Sequence, residues 1–89
     1  MIFGNKRSEL EIVHQILSLA QDDIKKTRLM YQTNLCYSHF LEYMDYLMDK
    51  EFLEVKNGNP VGRVYFTTDK GVKLLQDISV VLEDMKPES

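Results

Sequence analysis

The sequence predicts a mainly helical α+β domain, and three patterns support that prediction. Residues 25–50 place apolar side chains at three- and four-residue intervals with one interruption, which indicates two short helices joined by a tight turn. Two segments rich in strand-forming residues follow at 52–56 and 63–67, separated by a loop rich in glycine and asparagine. A last apolar-periodic segment at 69–86 predicts a C-terminal helix.

The composition limits the class of protein. A chain of 89 residues makes one small domain with a modest core, so an oligomer contact would add useful burial. Its hydrophobic share of 44% and charged share of 28% are typical of a soluble globule. No apolar run approaches the roughly 20 residues of a membrane span, and the start of the chain lacks the apolar segment of a signal peptide. We therefore expect a cytoplasmic protein with no membrane partner.

The first helix is predicted to support the core. Residues 8–11 have the form of a capping box, in which Ser8 and Glu11 satisfy each other's free amides. The apolar residues that follow form a broad inward stripe. Its members are Leu10, Ile12, Val13, Ile16, Leu17, Leu19 and Ala20. After a polar break, Ile24 is predicted to form a strand of one or two residues.

The ends of the two helices in residues 25–50 are predicted from residue chemistry. Lys25 begins the first, and Asn34 ends it because Asn tolerates the left-handed conformation that closes a helix. Ser38 is the expected N-cap of the second, and Cys36 the expected small buried residue of the turn. The second helix ends at Lys50. Its apolar side consists of Phe40, Leu41, Met44, Leu47 and Met48.

The order of elements specifies the fold further. Two strands and a glycine-rich tip directly after a helix-turn-helix make a wing, so residues 1–68 are predicted as a winged helix-turn-helix with three helices and a two-stranded wing. Residues 69–86 are predicted as a separate dimerisation helix. Thr68 is its expected N-cap, and Gly71 is expected to permit close packing against the domain.

Residues 26–44 also resemble a known family. They match the pattern KTRIMYxANLSYxxLxxYL of small archaeal winged-helix proteins, and the similarity runs from about Arg7 to Leu82. Those proteins are regarded as DNA-binding regulators or chromatin components, so the resemblance implies that this chain binds double-stranded DNA. Some members dimerise through an antiparallel coiled coil of the last helix, which implies a homodimer here as well.

Winged-helix geometry assigns roles to individual residues. The second helix of the motif enters the major groove, and the wing lies along the backbone or minor groove. The residues expected to face DNA near the start of that helix are Tyr37, Ser38, His39, Glu42 and Tyr43. Phosphate contacts are expected from the basic residues Lys25, Lys26, Arg28, Lys56 and Arg63. The alternative is that these five are ordinary solvated charges.

The last helix carries more apolar positions than one packing seam needs. Part of the stripe is expected to pack on its own domain and part on a second copy. The predicted dimerisation residues are Leu74, Leu75, Ile78, Val81, Leu82 and Met85. Pro87 limits the helix to about 27 Å, shorter than the coils of the relatives. It therefore stays open whether the helix instead folds wholly onto its own subunit.

The charge balance keeps a second interpretation open. The net charge is −3, with eight basic and nine acidic residues before Asp69, so a basic surface would have to be local. The acidic face of Glu42, Asp45 and Asp49 could instead bind a basic protein partner. The sequence has one cysteine, no phosphate-binding glycine loop and no metal-ligand or catalytic spacing. We expect no enzyme activity, cofactor or small-molecule ligand.

Overall fold

A computed structural model describes residues 9–58 and 62–85, without the side chain of Met85. The described residues form four helices and a three-stranded antiparallel sheet. The elements are α1 (Glu9–Leu19), β1 (Ile24–Lys25), α2 (Lys26–Thr33), α3 (Tyr37–Asp49), β2 (Leu53–Gly58), β3 (Gly62–Thr67) and α4 (Asp69–Met85). The predicted cap at Ser8, the wing tip at 59–61 and the helix end at Pro87 lie outside the described residues. No described helix has the length and apolar character needed to span a bilayer.

The sheet joins the start of α2 to the wing. Its strand order is β1-β3-β2, which confirms the predicted short strand at Ile24 and adds it to the two-stranded wing. Two rows of paired residues cross the sheet, Ile24–Tyr65–Val55 and Lys25–Val64–Lys56. Successive residues of a strand point to opposite faces. The first row therefore faces the helices, where it contributes to the core cluster, and the second row faces away.

The core lies between the helices and one face of the sheet. Its fully buried side chains come from the three helices of the winged domain and from β2, and they are Ile16, Leu17, Leu29, Thr33, Phe40, Leu47 and Leu53. Each large apolar side chain in this set contributes about 1.5–3 kcal/mol through burial. The inward stripe predicted for α1 is confirmed apart from Leu10, which is exposed. The apolar side predicted for α3 is confirmed as well.

The turn between α2 and α3 confirms one sequence prediction and corrects two. Asn34 is left-handed, with φ 56° and ψ 38°, and its N–H donates to the carbonyl groups of Met30 and Tyr31. The N-cap of α3 is Cys36 and not Ser38, which lies within the first turn. Cys36 is exposed, so its predicted burial is wrong. Leu35 packs against the core in its place.

The start of α4 is fixed to the end of α3. Thr68 Oγ1 accepts a hydrogen bond from the Gly71 N–H at 3.0 Å, which confirms the predicted N-cap, and donates to the Glu51 carbonyl at 2.7 Å. A Cβ at Gly71 would collide with the Phe52 carbonyl oxygen and lie 2.6 Å from a methyl carbon of Thr67. The predicted close packing at Gly71 is therefore confirmed. Beyond it, α4 packs along α1.

Helix α3 is followed by Glu51 in a left-handed backbone conformation, which is unfavourable for a residue with a side chain. Glu51 follows the helix with φ 66°, and the Phe52 N–H donates to the Leu47 carbonyl at 2.9 Å in the manner of a Schellman closure. Residues with a Cβ adopt this conformation at a cost that glycine avoids.

We predict that Glu51→Gly stabilises the protein. Relief of the left-handed strain exceeds the entropy that glycine adds to the unfolded chain, so the free energy of unfolding in urea should rise by about 0.5–1 kcal/mol. The matched control is Glu51→Gln, which removes the charge and keeps the Cβ. An equal gain in the Gln variant would assign the effect to charge and contradict the backbone explanation.

Candidate nucleic-acid interface

The outward face of α3 is divided along its length. Glu42, Asp45 and Asp49 are exposed and follow one another at three- and four-residue intervals, so they form an acidic stripe on one side. His39 and Tyr46 lie on the neighbouring side, in a second stripe that ends at Lys50. The Lys50 Nζ lies 6.0 Å from the centre of the Tyr46 ring. A phosphate backbone can therefore approach the second stripe more easily than the acidic one.

The first turn of α3 carries most of the residues predicted to face DNA. Tyr37, Ser38 and His39 are exposed there, and Glu42 is exposed one turn later. Tyr43 differs, because it is half-buried and packs against the core cluster. Only part of the Tyr43 side chain is available to a ligand.

The basic residues of α2 diverge around the helix. Lys26 points toward α3, where its Nζ lies 5.6 Å from the centre of the Tyr37 ring. Lys25 and Arg28 line a groove of about 530 Å³ on the other side of α2. Its other lining residues are Leu19, Asp22, Asp23, Ile24, Gln32 and Val64. The groove is thus of mixed charge. Of these three cations, only Lys26 is shown to border the first turn of α3.

Neither helix of the helix-turn-helix has a side-chain cap. The N-cap residues Lys25 and Cys36 make no side-chain cap hydrogen bond, and the first turns of α2 and α3 contain no acidic residue. The first-turn amides and the positive ends of both helix dipoles are thus available to an outside anion.

The Cys36 thiol lies beside these amides. As a thiolate it would accept a hydrogen bond from the backbone N–H of His39, and this interaction lowers the pKa of Cys36. The Ser38 hydroxyl, whose Oγ is 3.6 Å from the Cys36 Sγ, acts in the same direction. The start of α3 therefore favours negative charge.

The two wing cations lie on opposite faces of the hairpin. Lys56 pairs with Val64, whereas Arg63 pairs with Asn57 one position further along, and neighbouring positions alternate between faces. Lys56 Nζ lies 2.9 Å from Asp23 Oδ2. Arg63 is exposed and has no ion-pair partner within the described part of the chain.

The residues of α4 predicted to bind a second copy separate into two groups. Leu75 and Ile78 are 7% and 4% exposed, so they are corrected from dimer contacts to core residues of the subunit. The cause is the packing of α4 on α1, where His14 Nε2 lies 2.9 Å from Ser79 Oγ.

The remaining α4 residues form a partly exposed flank. Val81 is 42% exposed, and Leu74 and Leu82 are half-buried. The Met85 side chain lies outside the described residues.

The arrangement of elements defines a class of protein. A helix-turn-helix of α2 and α3, followed by the β2–β3 hairpin and supported by α1, is a winged helix-turn-helix domain. Residues 6–86 match the family model described as winged helix-turn-helix, and the chain belongs to that family. The family resemblance found in the sequence is thereby confirmed.

Two relatives and one solved structure show how far the similarity extends. The chain is 36% identical over 84 residues to the uncharacterized protein MJ0290 of Methanocaldococcus jannaschii, covering 93% of this chain and 37% of the length of that protein. It is 32% identical over 81 residues to MJ0287 of the same organism, covering 90% and 78% respectively. Sso10a-2, a DNA-binding protein from Sulfolobus solfataricus, superposes with a TM-score of 0.76 at 27% identity, over 86% of this chain and 80% of that one.

We predict that Cys36→Asp stabilises the fold. An aspartate at the N-cap accepts hydrogen bonds from first-turn amides and interacts favourably with the helix dipole, so the free energy of unfolding should rise by about 0.5–2 kcal/mol. Cys36→Ala is the control, because alanine removes the thiol without adding a cap. Equal stability of the two variants in urea denaturation would show that the amides at the start of α3 are already satisfied.

Proposed function

We propose that this protein binds double-stranded DNA, with α3 in the major groove and the wing on the backbone, and that it acts as a transcriptional regulator or chromatin protein. One observation carries the proposal: the register of the sheet. It places Lys25 and Lys56 in one row on either side of Val64, with Cα atoms about 10 Å apart. Lys26 follows Lys25 in the chain, and its Nζ lies on the side of α2 toward the first turn of α3. The start of α2 thus carries one cation beside the wing and one beside the helix proposed to read DNA.

Base contacts fall to the first turns of α3. Ser38 and His39 are exposed there and can exchange hydrogen bonds with base edges or phosphate. Glu42 can accept a hydrogen bond from the N4 amino group of cytosine. The acidic stripe that begins at Glu42 would be repelled by a phosphate strand, so we expect α3 to enter the groove with its N-terminal end and to keep Asp45 and Asp49 away from the backbone.

Phosphate contacts fall to the cations around α3. Lys25, Lys26 and Arg28 stand at the uncapped start of α2, where backbone amides can also bind a phosphate. Lys56 extends these contacts along the face of the wing that carries Val64, and Arg63 offers a further phosphate contact on the opposite face. Similarity to Sso10a-2, described as a DNA-binding protein, supports the same function.

A protein-binding module is the second candidate. The acidic stripe of Glu42, Asp45 and Asp49 favours it, because three exposed carboxylates on a recognition helix suit a basic partner. The dependence of duplex binding on salt separates the two functions. A steep loss of affinity with salt indicates phosphate neutralisation, and no response to salt favours the protein partner.

We predict that replacing Lys26 and Arg28 by Glu abolishes binding to duplex DNA. Each lost phosphate contact lowers the slope of log affinity against log salt by about 0.9, and the new carboxylates repel the backbone. Fluorescence anisotropy with a random duplex measures the loss of affinity.

The matched control for this double variant is Lys70→Glu with Lys73→Glu. It makes the same change of charge on the exposed side of α4, and both double variants should retain the helical content of the wild type. Unchanged binding by a folded Lys26/Arg28 variant would refute the contact assignment.

We also propose that the protein is a homodimer through the exposed flank of α4. Val81→Asp should shift the mass measured by light scattering from two subunits toward one, because it places a carboxylate in the contact. Val80→Asp is the control, since Val80 is 62% exposed and lies about 100° around the helix from Val81. A wild type that is monomeric at high concentration would exclude this dimer.

A further inference from the structure

The Asp23–Lys56 ion pair connects the residue before β1 to the wing. Asp23 and Lys56 lie on opposite sides of the central strand β3, and the Nζ–Oδ2 distance is 2.9 Å. Both side chains are about half exposed, at 49% for Asp23 and 51% for Lys56. A pair with this much solvent contact stabilises the fold little. Its main effect is on charge, because it neutralises one of the two wing cations.

The surroundings of Lys56 hold its ammonium group at the base of the wing. The Lys56 Nζ lies 5.0 Å from the centre of the Phe66 ring, on the face of the sheet that also carries Val64. Val64 is only 6% exposed although it lies outside the core cluster. The contact with the Phe66 ring and the ion pair with Asp23 position the Lys56 ammonium group before any ligand binds. The anion that Lys56 meets in the free protein is Asp23.

We propose that Asp23 competes with a DNA phosphate for Lys56, so that DNA binding exchanges one anion for the other. This inference rests on the DNA-binding function proposed above. The exchange is feasible because an exposed ion pair is weak, whereas a phosphate backbone presents closely spaced charges and releases counterions when a cation binds. Asp23 thereby lowers the affinity for all duplex sequences by a similar factor, since phosphate contacts carry no sequence information.

The neighbouring residue Asp22 distinguishes competition from a general effect of charge. Asp22 and Asp23 are both exposed acids in the turn between α1 and β1. Only Asp23 forms the ion pair with Lys56 within the part of the chain that the structure describes. Neutralising either one changes the net charge equally, but only the change at Asp23 releases Lys56.

The experiment is a titration of a random-sequence duplex against five proteins at several salt concentrations. They are the wild type, Asp23→Asn, Asp22→Asn, Lys56→Gln and the double variant Asp23→Asn with Lys56→Gln. Asp23→Asn should tighten binding about two- to fivefold, the factor expected for releasing an exposed ion pair. Asp22→Asn should give a smaller gain. In the Lys56→Gln background, the gain from Asp23→Asn should fall to that of Asp22→Asn.

The outcomes separate this inference from the function on which it rests. Equal gains from Asp23→Asn and Asp22→Asn, or a gain from Asp23→Asn that persists without Lys56, would overturn the competition while leaving DNA binding in place. A wild type that shows no salt-dependent binding would overturn both. Lys56→Arg provides a second test, because it keeps the cation and should preserve the full gain from Asp23→Asn.

Discussion

The pairing of the two-residue strand β1 with β3 is the contact on which the candidate interface depends. Ile24 pairs with Tyr65 and Lys25 with Val64, so the residue that precedes α2 lies beside the wing. So short a ladder has few hydrogen bonds, and burial of Ile24 supplies much of its stability. Hydrogen bonds from Thr67 to the C-terminal end of α1 extend the connection. Without this pairing, the start of α2 and the wing would not form one edge.

The supporting helices have favourable first turns, whereas the two helices of the helix-turn-helix do not. The helices α1 and α4 have acidic residues in their first turns, and α4 has a threonine cap. The helices α2 and α3, which face the candidate interface, have neither. A missing cap costs about 1 kcal/mol of stability. The uncapped first turns of α2 and α3 leave backbone amides and positive dipole ends for an outside anion, which the proposed DNA-binding function requires.

The parts of the fold that the sequence predicts are those that depend on local chemistry. The left-handed Asn34, the Thr68 cap, the hairpin and the apolar periods of α1 and α3 each depend on residues close together in the chain. Gly71 is a partial exception, because its need for a small residue was predictable whereas the Phe52 carbonyl that it contacts was not. The choice of Cys36 over Ser38 as N-cap depends on which residue of the turn reaches the core, and Leu35 takes that position.

The candidate site was less predictable, because its geometry depends on contacts between distant segments. The basic residues themselves are evident in the sequence, and so is their position around a helix-turn-helix. The Asp23–Lys56 pair and the opposite orientation of Arg63 depend on strand register, which no local pattern reveals. In α4 the periodicity identifies an apolar helix but cannot divide its stripe between the subunit and a second copy. The packing of α4 on α1 decides that division and buries Leu75 and Ile78 in the core cluster.

The connections of α4 link any dimer contact rigidly to the candidate interface. The N-terminus of α4 is hydrogen-bonded to the end of α3 through the Thr68 hydroxyl. The next turn of α4 packs on the Phe52 backbone at Gly71. Its middle packs on α1. A second subunit bound at Val81 would therefore hold its own α3 at a set distance and angle from the first. Two winged domains with fixed spacing can bind only duplex sites whose halves match that spacing, and the second binding event then becomes intramolecular. A domain with few cations per subunit can in this way reach useful affinity through pairing of subunits without a strongly basic surface.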